Sequence, residues 1–199
     1  MTKEEKIKYL LIPASGFGIG GGLWIGVLYV ASLKRLESAG LIIGLGLFIL
    51  FSGVSLIIFE HIKIYKKIFL LFGIGLGYLI AFLILFLGFL VFGLGSFSSN
   101  YFSVLGFLLI LVISIVIVSL GYAVLSKFLL DKKIWPIFLG ALIGHSFVFP
   151  ASLIAYDKSI FNFFIPFLTF IILGLCIGWG MYKGQKINLA ETKQVLQKT

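Results

Sequence analysis

The 199 residues include one cysteine, two histidines, seven acids and four prolines. Each shortage excludes something. With Cys176 alone, no disulfide can form within the chain. Metal chemistry needs three or four ligands at one place, and two histidines and a cysteine with no acid at matching depth do not supply them. The acids are Glu4, Glu5, Glu37, Glu60, Asp131, Asp157 and Glu191, all in tails, in links or at the ends of apolar runs. None lies mid-run, where proton relays and ion-coupling sites place their carboxylates. Coupled proton transport, an acid-ring cation channel and two-carboxylate catalysis all lose support. No acid–base pair marks an enzyme, and no cofactor motif stands out. Charge of either sign is scarce, at 12% of residues against about 25% in soluble domains. None at all occurs from Ile68 to Ser126.

Apolar residues take the space. The chain is 61% hydrophobic with a mean hydropathy of +1.20, too little polar surface to cover a water-soluble globule. Six runs reach the length of about 20 residues that a membrane-spanning helix needs. They are Leu10–Ser32, Ala39–Phe59, Ile68–Gly93, Tyr101–Ser126, Ile134–Tyr156 and Ile160–Tyr182. The links are short, so the expectation is a single all-α integral membrane domain over residues 1–199, a six-transmembrane-helix bundle. The run after the basic N-terminus is too long for the apolar core of a signal peptide and reads as an uncleaved first span.

The net charge of +9 does not indicate nucleic acid, because the basic residues flank the apolar runs instead of sharing one surface. They read as topology signals and contacts to the lipid bilayer. With the N-terminus inside, thirteen of the sixteen Lys and Arg fall on the inner side, and only Lys34, Arg35 and Lys158 fall outside. Both termini are therefore expected to be cytoplasmic, with the cell membrane as the location. Trp135, Trp179 and Tyr182 fall at the expected inner interface and Tyr29, Tyr101 and Tyr156 at the outer one, with 93–100 as an outer turn. A faint repeat pairs Tyr29 and Lys34 with Tyr122 and Lys127, and Lys66, Ile68, Phe69 and Phe72 with Lys158, Ile160, Phe161 and Phe164. Three spans per half would make it a 3+3 inverted repeat, a plan shared by many secondary transporters.

Glycine is plentiful, and six of the 24 crowd Gly16 to Gly26, although each costs about 1 kcal/mol against alanine in a helix interior. Ala14, Gly18, Gly22 and Gly26 share one helix face, with Gly16 and Gly20 on a neighbouring stripe. In lipid, small residues let helices approach until backbones touch, so this face is expected to pack a neighbouring helix or dock a membrane protein partner or a second copy. Pairs at the same spacing recur as Gly40/Gly44, Gly73/Gly77, Gly140/Gly144, Gly174/Gly178 and Gly180/Gly184. A sharper alternative has Gly20-Gly21-Gly22 unwinding at the midplane to expose backbone groups. Gly16, Gly18 and Gly21 formally fit a dinucleotide fingerprint, but no strand precedes them.

His145 is the one ionisable side chain besides Cys176 expected well inside a span. Burial favours a neutral ring that donates one hydrogen bond and accepts one. Pro150 cannot donate to the Ser146 carbonyl and is expected to kink the helix there. Counting from the span ends places Gly20, Gly21, Tyr78 and Thr169 near the same depth, so with His145 and Ser146 they are candidates for a polar pocket. The resulting expectation is a small transporter, or a membrane-embedded substrate-binding subunit, for an uncharged or weakly polar solute. In size, in its six short-looped spans and in the small residues of the first helix, the layout is similar to the substrate-binding subunits of energy-coupling vitamin transporters. That resemblance implies a component energised by a partner. The alternative is a non-catalytic structural subunit of a larger membrane complex.

Overall fold

The computed structural model describes residues 3–58, 60, 62–92, 101–154 and 161–196. All regular structure in them is helical: α1 (Lys3–Leu33), α2 (Glu37–Ile57), α3 (Ile64–Phe92), α4 (Tyr101–Leu130), α5 (Ile134–Ile154) and α6 (Phe161–Leu196). The protein is a six-helix bundle of membrane type. The stretches Lys3–Ala31, Ala39–Ile57, Ile64–Gly88, Leu108–Leu130 and Phe167–Ala190 are each long and apolar enough to cross a bilayer. α5 adds a shorter apolar stretch, Ile134–Val148. Two helices outrun the apolar runs that nucleate them. α1 begins seven residues before Leu10, and α6 continues fourteen residues past Tyr182 to Leu196. The expected turn at 93–100, His61, and Tyr156, Asp157 and Lys158 lie outside the described residues.

Each helix packs on its chain neighbours and α6 returns to α1, so the six close into a ring. Two turns between helices use left-handed residues, Arg35 at φ 55° and Asp131 at φ 51°. At the first, the amide of Leu36 donates back to the Ala31 carbonyl at 2.8 Å and satisfies an end carbonyl of α1.

The glycines of α1 are spent inside the ring. An added Cβ on Gly20 would lie 3.1–3.2 Å from Phe48 and Phe51 of α2, and one on Gly16 would collide with Ser55. On the other side, a Cβ on Gly18 would reach Ile171 at 2.7 Å and one on Gly21 would enter the Phe170 ring, both on α6. α1 is thus clamped between two helices. Residues 16–22 are continuous helix, so the Gly20–Gly22 segment is not unwound. Gly22 meets only the Phe167 ring, at 3.1 Å, and Gly26 faces open space.

Pro13 sharpens the α1–α6 seam. It lies inside α1 and has no N–H, so the Tyr9 carbonyl four residues earlier loses its helical donor. Gly178 of α6 sits directly on that carbonyl, and Gly174 on the Pro13 carbonyl. The α5–α6 seam repeats the device: Gly140 lies on the Cys176 carbonyl, and Gly180 faces the Pro136 carbonyl with 2.5 Å to an added Cβ. α2, α1, α6 and α5 therefore meet backbone to backbone. α3 differs. It is held by side chains, with Leu71 over Gly53, Ile49 beside Gly75, Leu125 over Gly73 and Ile110 over Gly88. Tyr29 is exposed while Tyr122 is buried, so these two members of the faint repeat occupy different environments.

Candidate functional site

The ring is filled by aromatic side chains. Phe48 lies at its centre, its ring 5.8 Å from Phe17, 5.5 Å from Trp24, 5.1 Å from Tyr78 and 5.0 Å from Phe170. Tyr78 and Tyr122 meet edge to face at 6.1 Å, an arrangement the ring quadrupoles favour. His145 is fully buried and contacts both, at 5.7 and 5.8 Å.

The polar atoms of these three residues form a chain with one consistent direction. The Ala141 carbonyl can only accept, so the His145 Nδ1 at 2.7 Å carries a proton and donates. In the neutral ring the Nε2 then accepts from the Tyr78 hydroxyl at 2.9 Å. Tyr122 in turn donates to the Tyr78 oxygen at 3.4 Å, the longest link. Three helices, α3, α4 and α5, are joined by this chain. An orphaned polar group here would cost about 1–3 kcal/mol. Two such groups are present among the described residues: Trp24 Nε1 and Ser119 Oγ are buried without a hydrogen-bond partner.

The remaining sequence candidates are distributed unevenly. Tyr78 and His145 are brought together. Gly20 and Gly21 lie close by, against Phe48 and Phe170, which touch each other. Ser146 is exposed and donates to the Leu142 carbonyl at 2.8 Å, along its own helix. Thr169 is half-buried beside Phe170 in sequence. α5 continues through position 150 to Ile154. Between α3 and α4, a half-open crevice too tight to hold a water molecule is lined by Gly73, Ile74, Gly77, Val118, Gly121 and Tyr122.

A second polar cluster closes the end of the bundle that carries the N-terminus of α1. Lys132 has no exposed side-chain surface, and its Nζ lies 2.6 Å from the Glu60 carboxylate. The same Nζ donates to the Tyr9 hydroxyl at 2.9 Å and stands 4.5 Å above the Tyr9 ring. Tyr9 donates onward to Glu60 Oε1 at 3.0 Å. Burial pushes the lysine below its ordinary range, and the carboxylate of Glu60 opposes that shift. The left-handed Asp131 sets up this geometry, turning the chain at the foot of α4 so that Lys132 enters the bundle. Its carbonyl accepts from Asn188 Nδ2 at 2.6 Å, and its carboxylate pairs outside with Lys127 at 2.7 Å. In the sequence Glu60 and Lys132 are indistinguishable from other link charges, seventy-two positions apart. Only the fold pairs them.

Among the described residues no three His, Cys, Asp or Glu side chains converge in the manner of a metal site. Fold and site together define a polytopic helical membrane protein with an aromatic, hydrogen-bonded interior. Comparison with family models, curated proteins and solved structures finds no match for this chain.

Proposed function

We propose that this membrane protein is a small transporter, or the membrane-embedded substrate-binding subunit of one, for an uncharged or weakly polar solute. The observation that carries the reading is the directed chain Tyr122–Tyr78–His145 inside an aromatic-lined interior, with the unpartnered Trp24 Nε1 reached through the Phe48 ring and the unpartnered Ser119 Oγ one helical turn from Tyr122 on α4. Aromatic faces suit the apolar body of such a solute, and a few hydrogen-bonding groups fix its orientation. Glu60, a carboxylate near the interior, is already held by Lys132, which supports a solute without an ion-coupling acid. The structural-subunit alternative draws less support, because Ala14, Gly18 and Gly22 of the small-residue face lie toward α6 of the same chain.

The test uses Trp24 as reporter in a Trp135→Phe/Trp179→Phe background, titrated with uncharged heterocycles and alcohols. A binder at a hundred times its dissociation constant stabilises the fold by about 2.7 kcal/mol. That shift in melting temperature, with a change in Trp24 fluorescence, is expected in the parent and lost in His145→Ala and Tyr78→Phe. Equal shifts in all three proteins would sink the reading.

The orientation belongs to the same proposal, with both termini in the cytoplasm of a cell membrane. In a Cys176→Ser background, Lys66→Cys is expected to react with an impermeant thiol reagent only after permeabilisation, and Ser98→Cys in intact cells. The opposite pattern would invert the topology.

A further inference from the structure

The helix contacts divide the bundle into two parts. α1, α2, α5 and α6 are joined through glycines that bring backbones together, at Gly16 and Gly20, at Gly174 and Gly178, and at Gly140 and Gly180. Neither α3 nor α4 has such a seam with the block: α3 meets α2 through the side chains of Leu71 and Ile49 and meets α4 through Ile110 and Leu125, and among the described residues no glycine brings α4 against α5. Contacts of the first kind hold two helices at one distance, because separating them strands whole backbone surfaces. Contacts of the second kind yield by side-chain rotation.

The hydrogen-bonded chain crosses this division. Tyr78 and Tyr122 ride on the α3–α4 pair, whereas His145, Phe48 and Phe17 belong to the four-helix block. The two feet of the α3–α4 pair are the link entering α3, which carries Glu60, and the link leaving α4, which carries Lys132. Those two residues bond to each other and to Tyr9 of α1, in the block.

We propose that the Lys132–Glu60–Tyr9 cluster is a latch that fastens the α3–α4 pair to the rest of the bundle, and that its release opens the interior around Tyr78 and His145. This rests on the solute-binding reading and assigns the control of access to that site. A buried ion pair is an inefficient adhesive, since apolar side chains of the same volume often stabilise as well or better. Its best-attested use is to specify one arrangement among competing ones. Here the arrangement specified is the closed one. Opening moves Tyr78 and Tyr122 away from His145 and breaks the Tyr78–Nε2 bond, so that the hydroxyl and Nε2 can meet a solute while Nδ1 keeps the Ala141 carbonyl and the glycine seams stay intact.

The experiment uses the full chain in lipid nanodiscs with Cys176→Ser and one introduced cysteine. Ser52→Cys reports on the interior, because Ser52 is fully buried one turn below Phe48 on α2. Leu173→Cys reports on the α5–α6 seam, where Leu173 lies against Gly144. The readout is the rate of reaction with a polar maleimide. Glu60→Gln is expected to raise the rate at Ser52→Cys about tenfold, as a shift in the open population, and to leave Leu173→Cys unchanged. The exchange Glu60→Lys/Lys132→Glu should restore the slow rate. An unchanged rate at Ser52→Cys, or an equal rise at both positions, would overturn the latch. No solute enters this measurement, so the latch fails on labelling alone, whereas the solute reading fails on the Trp24 titration alone.

Discussion

Gly178→Ala is expected to destabilise the bundle by about 1–3 kcal/mol, the usual range for overpacking a well-filled interior, and Gly178→Leu by more. The added carbon would land on the Tyr9 carbonyl with the Pro13 ring 3.1 Å away. One obstacle is main chain and the other a rigid proline ring, and neither can rotate aside. α6 would have to withdraw along the whole seam it shares with α1 through Gly174 and Gly178. Gly26→Ala is the matched control. It adds the same methyl in a helix interior but meets nothing within 4 Å, and alanine is the better helix former by about 1 kcal/mol. Its stability should equal or exceed that of the parent. Gly22→Leu falls between them, because the Phe167 ring it meets is a side chain able to turn. Unfolding in a graded series of denaturing detergent would order the three. Gly178→Ala as stable as Gly26→Ala would refute backbone contact at this seam.

Lys132→Met should cost about 3–5 kcal/mol, the range seen when one partner of a buried ion pair is removed. One charge is left without its counter-ion. The Glu60 carboxylate, 12% exposed, keeps only the Tyr9 hydroxyl, and Tyr9 loses the ammonium over its ring. Replacing both charges, as Lys132→Met/Glu60→Leu, should recover most of the loss, since the penalty comes from the unpaired charge and not from missing attraction. Substituting Lys63, which is exposed in the link that carries Glu60, should cost well under 1 kcal/mol, as for ordinary surface positions. The same unfolding assay measures all three. If Lys132→Met and Lys63→Met destabilise equally, Lys132 is an ordinary link charge.

Much of the architecture was legible because bilayer physics is coarse. Hydrocarbon core thickness sets helix length and forbids unpaired backbone, so apolar run length alone identified six helices and ordered them. The ends were less legible. α6 runs beyond Tyr182 as a more polar extension whose Asn188 reaches the Asp131 carbonyl, and no apolar run announces such a segment. His145 and Tyr78 were placed at one depth by counting residues. Ser146 was counted in by the same arithmetic, yet it is turned outward, because depth along an axis says nothing about rotation around it.

Composition and run lengths by themselves determined the solvent, the class, the number of helices and the shortage of catalytic groups. Those properties follow from the transfer free energy of each segment, which is local to the segment. The tertiary structure alone decided what faces what. It spent the glycines of α1 on α2 and α6, joined Tyr122, Tyr78 and His145 into one directed chain, and drew Lys132 out of a run of link charges to meet Glu60 and Tyr9. These pairings depend on helix rotation and on the register between helices far apart in the chain. Both are set by the fit of all six surfaces at once, which no single segment encodes.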